Sequence, residues 1–224
     1  MFKKFKELFA SENLLDTAYQ TTVRMLEYDY EMYDASRHSL RETGSTELPF
    51  DIKKLDRRIN KYEREVRRHV LTHLAIRGTH DLAPGLGLVS IVIDVERIGD
   101  YTKNISDLAA HYKAHLHGGK FEDDIKQIES VVELSFPDTI KAMKTQDVES
   151  ARAVMKREAG TGKLADDLVY AMIAKADKSI DTGQGVAVAM YARYLKRVDA
   201  HLTNIASAIV NPFPRIGFRE KKKK

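Results

Sequence analysis

The chain has 224 residues, 43% of them hydrophobic, with no cysteine and a formal charge of +4 at pH 7. That length supports a full core in one large or two small domains, and the missing cysteines exclude disulfides, thiolate metal sites and a cysteine nucleophile. The run Lys221 to Lys224 accounts for the whole net charge, so the remainder is neutral and nucleic-acid binding is not expected.

Residues 1–12 set Phe2, Phe5, Leu8 and Phe9 against Lys3, Lys4 and Lys6, the pattern of a short amphipathic helix. Such a segment suits either an anionic membrane surface or docking on the chain's own bundle. It lacks the apolar block and cleavage site of a secretory signal. The longest uncharged stretches, near 82–93 and 182–192, fall short of the about 20 apolar residues a bilayer requires. A cytoplasmic location is expected, with the basic termini giving peripheral contact at the inner face of the membrane.

Residues 13–42 predict a long helix with Leu15, Ala18, Thr22, Met25, Leu26, Asp29 and Met32 on its core face, ended by Gly44 and Pro49. A second helix starts near Asp51, with Leu55, Ile59, Tyr62, Val66, His69, Val70 and His73 facing inward. Asp56, Asn60, Glu63 and Arg67 form a polar stripe beside that face. The outer cations Lys53, Arg57, Lys61, Arg64 and Arg68 read as a solvated surface. Gly78 to Gly87 are expected to interrupt the pattern before a third helix from Leu86 to His115.

Gly118 and Gly119 then divide the chain. A fourth helix is predicted over 121–144 with a bend at Pro137, a fifth over 147–176 with weak points at Gly160 and Gly162, and a sixth from Gln184 to just before Pro212. No stretch alternates as a strand would. The fold class is therefore all-α, six long antiparallel helices in two sets of three. The predicted layout is an N-terminal segment 1–12, a first repeat 13–117, a second repeat 118–212 and a basic tail 213–224.

The centre of the third helix, residues 94–105, reads DVERIGDYTKNI. Val95, Ile98, Thr102 and Ile105 form its core stripe, and Glu96 and Asp100 project together one turn apart, about 6 Å between their β-carbons. Stacked like charges call for something positive between them. Gly99, costly inside a helix by up to about 1 kcal/mol relative to alanine, suggests close approach of another group. Residues 194–205, YLKRVDAHLTNI, repeat the pattern: Val95 pairs with Leu195, Arg97 with Arg197, Ile98 with Val198, Asn104 with Asn204 and Ile105 with Ile205. Lys196 and Ala200 stand where Glu96 and Asp100 would.

The doubled ERIGD and Asn-Ile segments resemble the PhoU family of phosphate-uptake regulators. So does the D-x-x-I-N run of Asp56, Ile59 and Asn60 on the preceding helix. The resemblance implies two tandem three-helix bundles, with Glu/Asp-x-x-x-Asp motifs that bind metal. A hard-donor site of Glu96, Asp100, Asp56 and Asn60 would take a divalent or trivalent ion such as Fe, Mg, Mn, Ca or Zn. It also implies a non-enzymatic adaptor whose partners are the ATPase of a phosphate ABC importer or a sodium-phosphate symporter, together with a sensor histidine kinase. A bundle of two related halves leaves a shared face open, which predicts a homodimer or a bound partner.

Two rival site readings remain at this stage. His69 with His73, and His111 with His115, are each spaced to share a metal, but no H-E-x-x-H string accompanies them. The carboxylates could alternatively serve a metal-dependent hydrolase, polarising water or a phosphoryl oxygen, or the chain could be a plain helical scaffold. No nucleophile elbow or phosphate-binding glycine loop is present.

Overall fold

The structure, a computed structural model, describes residues 14–44 and 48–221, so the amphipathic segment 1–12 and the last three lysines lie outside the described residues. Six long helices follow one another: α1 (Leu14–His38), α2 (Ile52–Arg77), α3 (Leu82–His111), α4 (Glu122–Thr145), α5 (Val148–Ile173) and α6 (Thr182–Val210). No strand occurs among the described residues. Helices α1 to α3 pack on one another, as do α4 to α6, and the two sets join side by side, chiefly through α3 against α6 and α1 against α4. One continuous apolar core runs through both.

Local chemistry sets the helix limits. Asp51, Asp147 and Asp181 cap α2, α5 and α6, each side chain accepting an amide hydrogen bond from the first turn. α1 runs on into a π-helical turn, Ser39–Thr43, that ends at Gly44 with φ of 60°. α4 carries Pro137 within an unbroken helix. In α5 the weak point falls at Gly160, whose φ of 117° suits glycine.

The third helix departs from expectation at both ends, running Leu82–His111 rather than Leu86 to His115. Pro84 falls in its first turn, where the missing N–H is not needed. Gly85 sits at a close helix crossing: a β-carbon there would lie 3.2 Å from both Val70 and Leu74 of α2. At the other end the chain leaves the helix and crosses the end of α1. The Leu116 amide donates to the Leu40 carbonyl at 2.9 Å, and Arg41 Nη1 donates to the Leu116 carbonyl.

Arg41 ties the two halves together. Its guanidinium, nearly buried, binds Glu122 at 2.5 Å and Glu129 at 2.8 Å on α4, and Glu129 also accepts the Tyr191 hydroxyl of α6 at 2.7 Å. A polar seam completes the contact between α3 and α6. Asp94 accepts from His201 at 2.7 Å and Asn204 at 3.0 Å, while Tyr101 stacks on His201 and accepts from Arg197 at 3.2 Å.

The described part of the basic tail folds back on α6. Asn211 donates to the Phe218 carbonyl at 2.6 Å, the Gly217 amide donates to Ser207 Oγ at 2.7 Å, and Glu220 pairs with Arg152 of α5 at 2.6 Å.

Candidate metal centre

α2 and α3 run antiparallel, with Lys103 of α3 reaching Asp56 of α2 at 3.4 Å. This register brings the half-buried Glu96 and Asp100 alongside Asp56, and Asn60 follows Asp56 by one turn. Burial, and then repulsion from Asp100, raises the Glu96 carboxyl above its ordinary range against the opposing pull of Arg97. The four residues singled out in the sequence thus share one neighbourhood.

Among the described residues, no three His, Asp or Glu side chains converge closely enough to hold an ion. The carboxylates are engaged by the protein's own cations. Lys103 lies 3.4 Å from Asp56 and 3.8 Å from Asp100, and Arg97 lies 3.1 Å from Asp100 and 3.7 Å from Glu96.

A fifth carboxylate, Asp29 of α1, was read in the sequence only as a position on the core face. Its exposure is 0%, and neither carboxylate oxygen has a hydrogen-bond partner. Burial, then repulsion from Glu96, Asp56 and Asp100, holds its carboxyl well above the ordinary range. Asp29 also explains Gly99. A β-carbon at that position would lie 2.8 Å from Asp29 Oδ1, so the close approach suspected from the glycine is that of a buried carboxylate.

The donor set is all oxygen, contributed by three helices, and includes one orphaned buried acid. Its chemistry fits a hard cation such as Mg, Mn, Ca or Fe better than the softer nitrogen and sulfur ligation typical of zinc. Both signals stood in the sequence, an acid on the apolar stripe of α1 and a glycine in mid-α3. Their pairing needed the fold.

The second repeat is built differently. Lys196 binds Asp166 of α5 at 2.7 Å, filling the place of Glu96 with an ion pair. Asp199 stands where the first repeat has Gly99; it is 1% exposed, and its Oδ1 has no partner. Burial, then repulsion from Glu158, pushes its carboxyl up to about 7, with Arg157 and Thr161 opposing.

The histidine pairs do not form metal sites. His73 pairs with Asp81 at 2.7 Å, and α3 ends at His111, which removes the shared helical turn expected with His115.

Comparison with known proteins decides the family. The PhoU domain model matches residues 22–109 and 125–209, one segment on α1 to α3 and the other on α4 to α6. The chain belongs to the PhoU family. A Synechocystis relative, the phosphate-specific transport system accessory protein PhoU homolog, is 23% identical over 203 residues, covering 88% of each chain.

The fold is also that of PhoU from Pseudomonas aeruginosa, with a TM-score of 0.78, 19% identity and coverage of 88% of this chain and 95% of that one. PhoU from Streptococcus pneumoniae, titled a phosphate transport system regulatory protein, gives 0.75 at 17% identity, covering 88% and 93%. The all-α, six-helix expectation and the family resemblance therefore both hold for this PhoU chain.

Two predictions follow from the buried acids. Gly99→Ala would gain about 1 kcal/mol of helix propensity yet force its β-carbon onto Asp29. A net destabilisation of about 1–3 kcal/mol is expected, and it should be largely relieved in Gly99→Ala with Asp29→Ala; urea unfolding of the four proteins in the cycle checks it. For Asp199, the folded carboxyl at about 7 lies above the unfolded value of 3.8. Its contribution is fully present below about pH 4 and lost as pH rises through about 7. Asp199→Asn should flatten the pH dependence of stability across that window and raise stability at neutral pH by about 2 kcal/mol.

Proposed function

We propose that this protein is a non-enzymatic adaptor that regulates phosphate transport through protein contacts at the inner face of the membrane. The observation that carries the reading is the PhoU domain match over both halves of the chain. It is supported by a curated relative that aligns along most of both chains and is named an accessory protein of a phosphate-specific transport system. No helix among the described residues is long and apolar enough to cross a membrane, which agrees with a regulator held at the surface by its partners. The proposed partners are the ATPase of a phosphate ABC importer or a sodium-phosphate symporter, together with a sensor histidine kinase.

The test is capture from a solubilised membrane fraction with the tagged protein. Recovery of a phosphate-transport subunit or its kinase is expected. If neither co-purifies under conditions that preserve the transporter, the adaptor reading fails.

We also propose that Asp29, Asp56, Asn60, Glu96 and Asp100 hold a hard cation in the first repeat, and that the second repeat, with Lys196 and Ala200, holds none. A bound cation would take over the outer carboxylates from Lys103 and Arg97 and give Asp29 the partner it lacks. Asp29 would ionise when the ion enters, and Lys103 and Arg97 would release the acids they now neutralise. Because both Asp29 and Glu96 carry raised carboxyls, binding must displace protons, so affinity should increase as pH rises.

Calorimetry with Mn2+ as the probe should show that increase. Glu96→Ala with Asp100→Ala should weaken binding by about tenfold or more, and Asp29→Asn should weaken it and flatten the pH dependence. Undiminished Mn2+ binding by the double variant would falsify the site.

A further inference from the structure

The first turns of α1 and α3 meet the ends of α4 and α6 around a cavity of about 450 Å³. Leu15, Leu88, Ile91, Met143, Ile209 and Ile216 line it, so its wall is chiefly apolar and comes from both repeats. Hydrogen bonds within the bundle hold that wall in place. The Tyr19 hydroxyl donates to the Met143 carbonyl at 2.7 Å, and the stretch bearing Ile216 is pinned to α6 where the Gly217 amide donates to Ser207 Oγ at 2.7 Å. Protein interiors leave few voids larger than a water molecule, so a preformed apolar hollow of this size calls for an occupant.

The chain itself supplies a matching segment beside the cavity. In residues 1–12, which lie outside the described residues, Phe2, Phe5 and Phe9 recur at three-and-four spacing, with Leu8 beside them and Lys3, Lys4 and Lys6 on the other side. An apolar cavity of about 150 Å³ takes one benzene ring. A volume of about 450 Å³ therefore has room for roughly three rings, the number this stripe carries.

The tether between segment and cavity is short. Leu14 is the first described residue and Leu15 already belongs to the wall, so only residues 10–13 intervene, spanning at most about 14 Å. Among them Ser11 and Asn13 are residue types that favour helix caps over helix interiors, which lets the chain change direction before α1. A short tether raises the effective concentration of the segment at the cavity to about the millimolar range, so modest intrinsic affinity suffices.

Competing surfaces fit less well. Two other clefts are charged, one lying among Arg37, Arg41, Glu122 and Glu133 and the other among Arg24, Glu27, Lys141 and Lys144. The exposed Val186 and Met190 stand near the start of α6. Val186 is about 35 Å along the helix from Ile209, well beyond the tether.

We propose that residues 2–9 dock as an amphipathic helix in the cavity between the two repeats, with Phe2, Phe5 and Phe9 inside and the lysines in solvent. Docking there staples the start of the first repeat to the end of the second. It also withdraws the phenylalanines from any membrane surface. The inference depends on neither the adaptor reading nor the cation site.

The chain has no cysteine and no tryptophan, so both can be introduced into the full-length protein without background. Phe5→Cys with Ala208→Cys, which faces the cavity, is the test pair. Phe5→Cys with Gln20→Cys is the control within reach, because Gln20 is exposed on α1 outside the wall. Lys4→Cys with Ala208→Cys tests the face. Under mild oxidation the first pair should close to an intramolecular disulfide severalfold faster than the other two, because a disulfide needs α-carbons within about 7 Å. Equal rates for all three pairs, or a first pair that closes only between chains, would overturn the proposal, the latter by making a second copy the occupant.

A second measurement reads the segment without oxidation. The emission of Phe5→Trp should be blue-shifted in buffer alone and should move to the red when Ala208→Glu sets a charge in the wall, with the helical circular dichroism unchanged. A water-like emission in buffer that shifts to the blue only with phosphatidylglycerol vesicles would overturn the proposal and assign the segment to the membrane.

Discussion

A carboxylate with no hydrogen-bond partner, fully enclosed in a helical core, is the constraint around which the first repeat is organised. Leaving a buried polar group unsatisfied normally costs several kcal/mol. Asp29 nevertheless occupies the middle of the α1 core face, with both oxygens unpaired. Room for it depends on Gly99, since any larger residue on α3 would collide with Oδ1. The surrounding acids add to the strain, and the two basic residues present, Lys103 and Arg97, reach only the outer members of the group. The result is a buried, unpaired acid beside a group of carboxylates that the protein's cations reach from outside.

The two repeats share a backbone plan and diverge in how they use it. In the first, the acid comes from α1 and α3 yields space with a glycine. In the second, the acid comes from α6 itself as Asp199, which feels Glu158, Arg157 and Thr161 of α5, while Lys196 pairs with Asp166. Arg97 and Arg197 occupy matching positions but do different work. Arg97 neutralises the acid cluster, whereas Arg197 donates to Tyr101 and helps to hold the halves together. One half therefore keeps an acidic, oxygen-rich site, while its counterpart closes that place with internal charge pairs.

Net charge conceals the surface electrostatics of this chain. A sum near zero without the terminal lysines suggests a body indifferent to anions, and yet α2 presents cations along its whole outer face. Its polar flank, Asp56 to Glu63, turns toward α3 and the acid cluster. The same helix thus lends an inward-facing side to the acid cluster and an outward-facing side to the cationic stripe. Both follow from helical periodicity, which places residues three and four apart on one side.

Periodicity, capping residues and the internal repeat made the helices, their order and the all-α class legible in the sequence, because these are local properties of three to four neighbouring residues. The repeat and the ERIGD run also pointed to the family and to Glu96, Asp100, Asp56 and Asn60. Local reading failed where the reason was distant. Pro84 and Gly85 looked like a break but belong to a helix start, since the glycine answers to Val70 and Leu74 across a crossing. His111 and His115 looked like a pair until the chain left α3 to bind the end of α1. Asp29 looked like one polar residue on an apolar stripe. Only packing decided these, because contacts between different helices depend on helix order and crossing, which no local window of sequence encodes.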